Sequence, residues 1–111
     1  MKKLLFVCQA NAQRSPSFEL WFKQHRAGQY DVRSAGISFG YPYQIVDKCI
    51  PDTLEWADIV YCMDLEQERW IARRYPEYLS KVRTVGVSDQ YPRESPQINR
   101  IIEYWTERED L

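Results

Sequence analysis

A single-domain, three-layer α/β/α fold around a four-stranded parallel sheet is predicted by three features of this chain. Apolar runs of strand type alternate with helical patterns in the order β-α-β-α-β-α-β-α, and parallel strands need such right-handed helical crossovers between them. The first run, Leu4-Leu5-Phe6-Val7, is apolar without alternation, as a strand covered on both faces must be. The 111 residues, 44% of them hydrophobic, suffice for one core over residues 1–111 without metal or disulfide staples. No linker, internal repeat or low-complexity tract divides them.

Residues 3–8 form the first strand. Ser15 and Pro16 suit an N-cap and a first helical residue, and Phe18, Trp21, Phe22 and His25 recur at i, i+3, i+4, i+7 up to a stop near Gly28. His25, the only histidine, falls on that packing face and reads as a packing or edge residue rather than a catalytic base. Residues 30–34 make a short strand closed by Ala35-Gly36. The segment 37–51, with Gly40, Pro42 and Pro51, reads as loop with a helical turn over 44–49. Its Tyr41 and Tyr43 fit either a substrate wall or a cover over the sheet. A helical turn at 53–57 precedes a strand at 58–63, in which Cys62 reads as a buried strand residue. A helix follows at 66–74, with Trp70 and Ile71 inward and Arg69, Arg73 and Arg74 solvated. Residues 82–87 are the last strand and 88–95 a loop. Pro96 opens a final helix with Ile98, Ile101, Ile102 and Trp105 on one face.

Charge and cysteine usage exclude several classes of function. Fifteen basic and sixteen acidic residues leave a formal net charge of −1, so bulk charge supports no nucleic-acid and no membrane partner. Met1-Lys2-Lys3 has the charge of a signal peptide, but the apolar stretch behind it is too short for one, and no run is long enough to span a bilayer. Three cysteines, an odd number without paired spacing, point to a reducing compartment and a cytoplasmic protein. One histidine and no Cys-x2-Cys pair give a zinc site nothing to build on, and no metal or other cofactor is expected.

The chemistry centres on Cys8-Gln9-Ala10-Asn11-Ala12-Gln13-Arg14-Ser15-Pro16, where a buried strand ends in a cysteine and a short loop enters a helix. A helix N-terminus reached through a loop offers unpaired N–H groups and the positive end of the helix dipole, which suits a dianion such as phosphate. Cys8 lies where that field favours a thiolate, and Arg14 adds a planar fork able to hold two phosphoryl oxygens. The plainer alternative for Cys8 is a small buried residue ending a core strand. Ser15 has two compatible readings, a plain N-cap and a hydroxyl donor to the Cys8 sulfur.

This stretch resembles the phosphate-binding loop of the low-molecular-weight protein tyrosine phosphatases. Arg33-Ser34-Ala35-Gly36, Ala57-Asp58-Ile59-Val60-Tyr61-Cys62-Met63-Asp64 and Ser88-Asp89-Gln90-Tyr91 follow in that family's order. The resemblance covers most of the chain, which is shorter than typical members and most similar to abbreviated microbial ones. It implies a phosphatase-type loop after the first strand and metal-independent hydrolysis of phosphotyrosine or aryl phosphate monoesters through a cysteinyl phosphate. Cys8 would be the nucleophile, Arg14 the oxyanion fork and Asp89 the general acid. Gln9, Ala10, Asn11, Ala12 and Gln13 would cradle the oxygens, Ser15 would support the thiolate, and Tyr91 would line the cleft. The implied partner is a phosphotyrosine protein or a small aryl phosphate.

Four departures from the family pattern stand out: Gln90 replaces the proline after the acid, Ala10 a glycine, Gln13 a second cysteine in the loop, and the 37–51 segment is shortened, removing part of one wall of the cleft. Two other readings use the same loop. A thiol-dependent arsenate reductase would need Cys49 or Cys62 to relay electrons, and a non-catalytic phosphate- or phosphoprotein-binding module would keep the cradle without turnover.

Overall fold

The computed structural model describes residues 1–9, 14–37, 49, 51–88, 90–91 and 95–111. Tyr41 and Tyr43, and the helical turn expected over 44–49 apart from Cys49, lie outside the described residues. Strands β1 (Lys2–Cys8), β2 (Tyr30–Gly36), β3 (Ile59–Cys62) and β4 (Val82–Thr84) form one sheet in the order β2-β1-β3-β4, with every pairing parallel. Helices α1 (Arg14–His25), α2 (Pro51–Trp56), α3 (Leu65–Arg74) and α4 (Pro96–Glu109) cover its two faces, the three-layer arrangement expected from the sequence.

Alternation along β1 explains how one strand feeds two cores. Leu4, Phe6 and Cys8 project into the layer formed by α1 and α4, whereas Leu5 and Val7 project into the layer formed by α2 and α3. Phe6 is the hub of the first layer, with ring centroids 5.2 Å from Phe18, 5.3 Å from Phe22 and 5.5 Å from Tyr61. Truncating Phe6 to alanine should therefore cost about 3–5 kcal/mol of stability, read as a large drop in the urea midpoint.

Three local features differ from the sequence expectation. The first helix begins at Arg14, so Ser15 and Pro16 sit inside its first turn; proline is tolerated there because its N–H would have no intrahelical partner. A 3-10 turn over Pro76–Lys81 links α3 to β4, too short to announce itself by periodicity. The last strand, expected over 82–87, keeps its ladder only to Thr84. Gly86 then takes a left-handed φ of 87°, which ends the extended run, although the N–H groups of Gly86 and Val87 still bond to the Met63 carbonyl.

The strand order reverses direction between β1 and β3. In parallel α/β sheets, ligands bind at such a switch point beyond the carboxyl ends of the strands. The chain emerging there is Cys8 from β1 and Met63-Asp64 from β3.

Candidate active site

The carboxyl end of β1 delivers Cys8 into the α1/α4 layer, where its residue exposure is only 3%. Because α1 starts at Arg14, its first turn buries Arg14, Ser15 and Ser17, polar residues that a packing helix would ordinarily turn to solvent. Ser15 Oγ donates to Cys8 Sγ at 3.0 Å and lies 3.4 Å from the Ala35 carbonyl. A hydroxyl directed at sulfur stabilises a thiolate more than a thiol, since the charged acceptor makes the stronger hydrogen bond. Of the two sequence readings of Ser15, the sulfur contact is present, and Ser15 itself lies within the helix rather than ahead of it.

Arg14 is 5% exposed, and a buried guanidinium needs partners. Its Nη1 donates to Asp64 Oδ2 at 2.6 Å and to the Val87 carbonyl oxygen at 3.0 Å. One edge of the fork is thus anchored to the ends of β3 and of the β4 segment. No other described residue takes the remaining N–H groups, which leaves the other edge for an anion.

Asp64 was not singled out by the sequence as a site residue. It also begins α3 through a capping box: Oδ1 accepts from the Glu66 N–H at 2.9 Å, and the Gln67 side chain accepts from the Asp64 N–H at 2.8 Å. Desolvation pushes the Asp64 carboxyl up. The hydrogen bond from Arg14, the Glu66 N–H, the Arg14 charge and the Gln67 amide outweigh it, so the carboxyl is held below its ordinary value. The signal available in the sequence was Asp-x-x-Gln just after a strand, one of the two strands that flank β1 and end beside Cys8.

A depressed carboxylate contributes stability that is present above its unfolded pKa and lost as pH falls through the folded one. The stability gap between wild type and Asp64→Asn should therefore be full at neutral pH and shrink below about pH 4, the ordinary aspartate range. Denaturant titrations across that range measure it, and a gap independent of pH would remove the ionic role of Asp64.

Among the other expected site residues, Gln9 is half-buried and its carbonyl accepts from the Ile37 N–H at 2.9 Å. Tyr91 packs, partly buried, against the cluster that contains Cys8. Ala10, Asn11, Ala12, Gln13 and Asp89 lie outside the described residues. Asp89 follows Val87 by two positions, and the Val87 carbonyl rests on Arg14. His25 is exposed at the far end of α1 from Ser15, its ring tilted against Trp21 with centroids 4.7 Å apart, in keeping with its reading as a packing or edge residue.

Cys49 and Cys62 sit in the α2/α3 layer, on the opposite side of the sheet from Cys8, and both are fully buried. Burial pushes the Cys49 thiol up to about 12; burial, with smaller contributions from Cys49, Glu68 and Asp64, pushes Cys62 higher still. Neither is disposed to form a thiolate or to meet the Cys8 sulfur. Peroxide should therefore oxidise Cys8 to a sulfenic acid with no Cys8–Cys49 or Cys8–Cys62 bridge, as peptide mass spectrometry would record. Either bridge would contradict the two-sided arrangement.

Fold comparison places the chain beside solved phosphatase structures. No protein-family model and no curated protein sequence matches it. Wzb of Vibrio vulnificus, solved in complex with benzylphosphonate, superposes with a TM-score of 0.77 at 19% identity, covering 99% of both chains. The low molecular weight protein tyrosine phosphatase of T. tengcongensis gives 0.71 at 23% identity, over 99% of this chain and 96% of that one. The YwlE arginine phosphatase of Geobacillus stearothermophilus gives 0.73 at 19% identity, over 99% and 94%. At these identities the likeness is one of fold, and the fold is that of the low-molecular-weight protein tyrosine phosphatases.

Proposed function

We propose that this chain is a phosphatase that hydrolyses phosphotyrosine or aryl phosphate monoesters through a cysteinyl-phosphate intermediate on Cys8. The observation that carries the reading is the pairing of Ser15 Oγ with Cys8 Sγ at 3.0 Å, with the adjoining Arg14 buried and anchored among the described residues by one edge only. A purely structural cysteine has no need of either neighbour.

In the first step the Cys8 thiolate attacks phosphorus as the bond from phosphorus to the leaving oxygen breaks, and Asp89 gives that oxygen its proton. Arg14 and the N–H groups of the loop from Gln9 to Arg14 hold the three equatorial oxygens, over which the charge is spread in the in-line transition state. In the second step water attacks the same phosphorus, returning a proton to Asp89, and the sulfur leaves as a thiolate. Ser15 stabilises that thiolate in both directions. Asn11 suits the tight loop, since asparagine tolerates left-handed backbone. Tyr91 would lie along an aromatic leaving group. A reducing, cytoplasmic setting fits three cysteines of which none forms a disulfide among the described residues.

The arsenate reductase reading loses its internal relay when Cys49 and Cys62 lie across the sheet from Cys8. An assay free of added metal, run with phosphotyrosine peptide, p-nitrophenyl phosphate, phosphoarginine and arsenate in parallel, tests the proposal. Turnover of the two aryl phosphates is expected. Binding of phosphate without turnover of any substrate would instead indicate a binding module, and phosphoarginine as the one good substrate would move the substrate class.

The role of Asp89 has its own test. A general acid matters most when the leaving group is poor, and tyrosine is a poorer leaving group than nitrophenol. Asp89→Asn should lower kcat for phosphotyrosine by about 10²- to 10⁴-fold, and lower it less for p-nitrophenyl phosphate. Equal losses on both, or a larger loss on Glu94→Gln, would transfer the acid role elsewhere.

A further inference from the structure

We propose that a groove beside the cradle receives a lysine or arginine side chain flanking the phosphorylated residue of a peptide substrate. The inference rests on the phosphatase reading and narrows its substrate class. The groove, an open cavity of about 540 Å³, runs between the first turn of α3 and the segment leaving β4, lined by Asp64, Leu65, Glu66, Thr84, Val87 and Ser88 among others. It is continuous with the site, because Asp64 and Val87 are the two groups that hold Arg14.

Its walls match one kind of side chain. Leu65 is 52% exposed and offers a large apolar surface at the groove. The carboxylates are not equivalent. Asp64 is committed to Arg14 and to the Glu66 N–H, so those two opposite charges offset one another. Glu68, one turn behind, accepts from the Thr84 hydroxyl at 3.2 Å. The Glu66 carboxylate, by contrast, has no hydrogen-bond or ion-pair partner among the described residues. An aliphatic surface beside a carboxylate that no described cation pairs suits a long apolar stem with a cationic head, which is the form of lysine and arginine. A phosphopeptide bound by its phosphoryl group would bring a neighbouring side chain within reach, since successive residues advance only about 3.3–3.6 Å. An acidic neighbour would meet Glu66 as a like charge.

The test titrates Cys8→Ser protein with phosphotyrosine peptides that differ only in the flanking residues, arginine, alanine or glutamate. Arginine-flanked peptide should bind about two- to five-fold tighter than the alanine peptide, the worth of an accessible ion pair, and the glutamate peptide weakest. Adding Glu66→Gln should erase the order, and high ionic strength should compress it. In otherwise wild-type protein, Glu66→Gln should leave p-nitrophenyl phosphate kinetics unchanged. Equal affinities for the three peptides, or an arginine preference that survives Glu66→Gln, would overturn the inference while turnover of p-nitrophenyl phosphate left the phosphatase reading standing. Absence of both turnover and peptide binding would overturn the two together.

Discussion

Cys8→Ser is expected to fold like the wild type, bind inorganic phosphate and turn over no phosphate ester. The exchange replaces sulfur by oxygen in a site only 3% exposed, and Ser15 Oγ, 3.0 Å from the sulfur, can still hydrogen-bond the new hydroxyl. The alcohol is not ionised at neutral pH, so the nucleophile is lost while Arg14 and Ser15 are kept. Loss of a nucleophile from a covalent catalyst lowers kcat by about 10⁴- to 10⁶-fold. Phosphate affinity by calorimetry and initial rates on p-nitrophenyl phosphate measure the two halves. Substantial residual turnover would mean that Cys8 is a strand residue and the chemistry lies elsewhere.

Arg14→Lys should be nearly as damaging, although it keeps the charge. Nη1 is fixed to Asp64 and the Val87 carbonyl, and in the proposed mechanism the opposite edge meets the anion. An ammonium is a compact point charge and cannot hold an anchor and two parallel donors in one plane. A loss of about 10²- to 10³-fold in kcat is expected, the usual cost of one transition-state donor, with a smaller change in KM. The loss should shrink when the substitution is made in an Asp64→Asn background, because the anchor is then already weakened, and a double-mutant cycle reads that coupling. Kinetics like those of the wild type would place the oxyanion cradle away from Arg14.

The fold was legible because its strongest signals are periodic. Uninterrupted apolar residues in β1, the i, i+3, i+4, i+7 faces of α1 and α4, and the alternation of strand and helix survive any local irregularity. Boundaries were less legible where a single backbone conformation decides them. Gly86 ends the β4 ladder through a left-handed φ that composition alone does not announce. The start of α1 at Arg14 reflects the demands of a buried polar turn rather than helix propensity.

In the candidate site, Cys8, Arg14 and Ser15 could be read because they share one short segment where an apolar strand runs into a helix. Asp64 and the Val87 carbonyl could not, since they reach Arg14 across 50 and 73 residues. A capping aspartate looks the same in sequence whether or not an arginine waits beside it. Parallel β1–β3 pairing turns the cap of α3 into an anchor for a guanidinium.

The central claim is that phosphorus passes through the sulfur of Cys8. Rapid mixing of the protein with radiolabelled phosphotyrosine peptide, followed by denaturing quench and peptide mapping, reads it most directly. Label carried transiently on the peptide containing Cys8, and missing from Cys8→Ser, is the predicted result. Turnover at full rate with label on no residue, or on a residue other than Cys8, would contradict it.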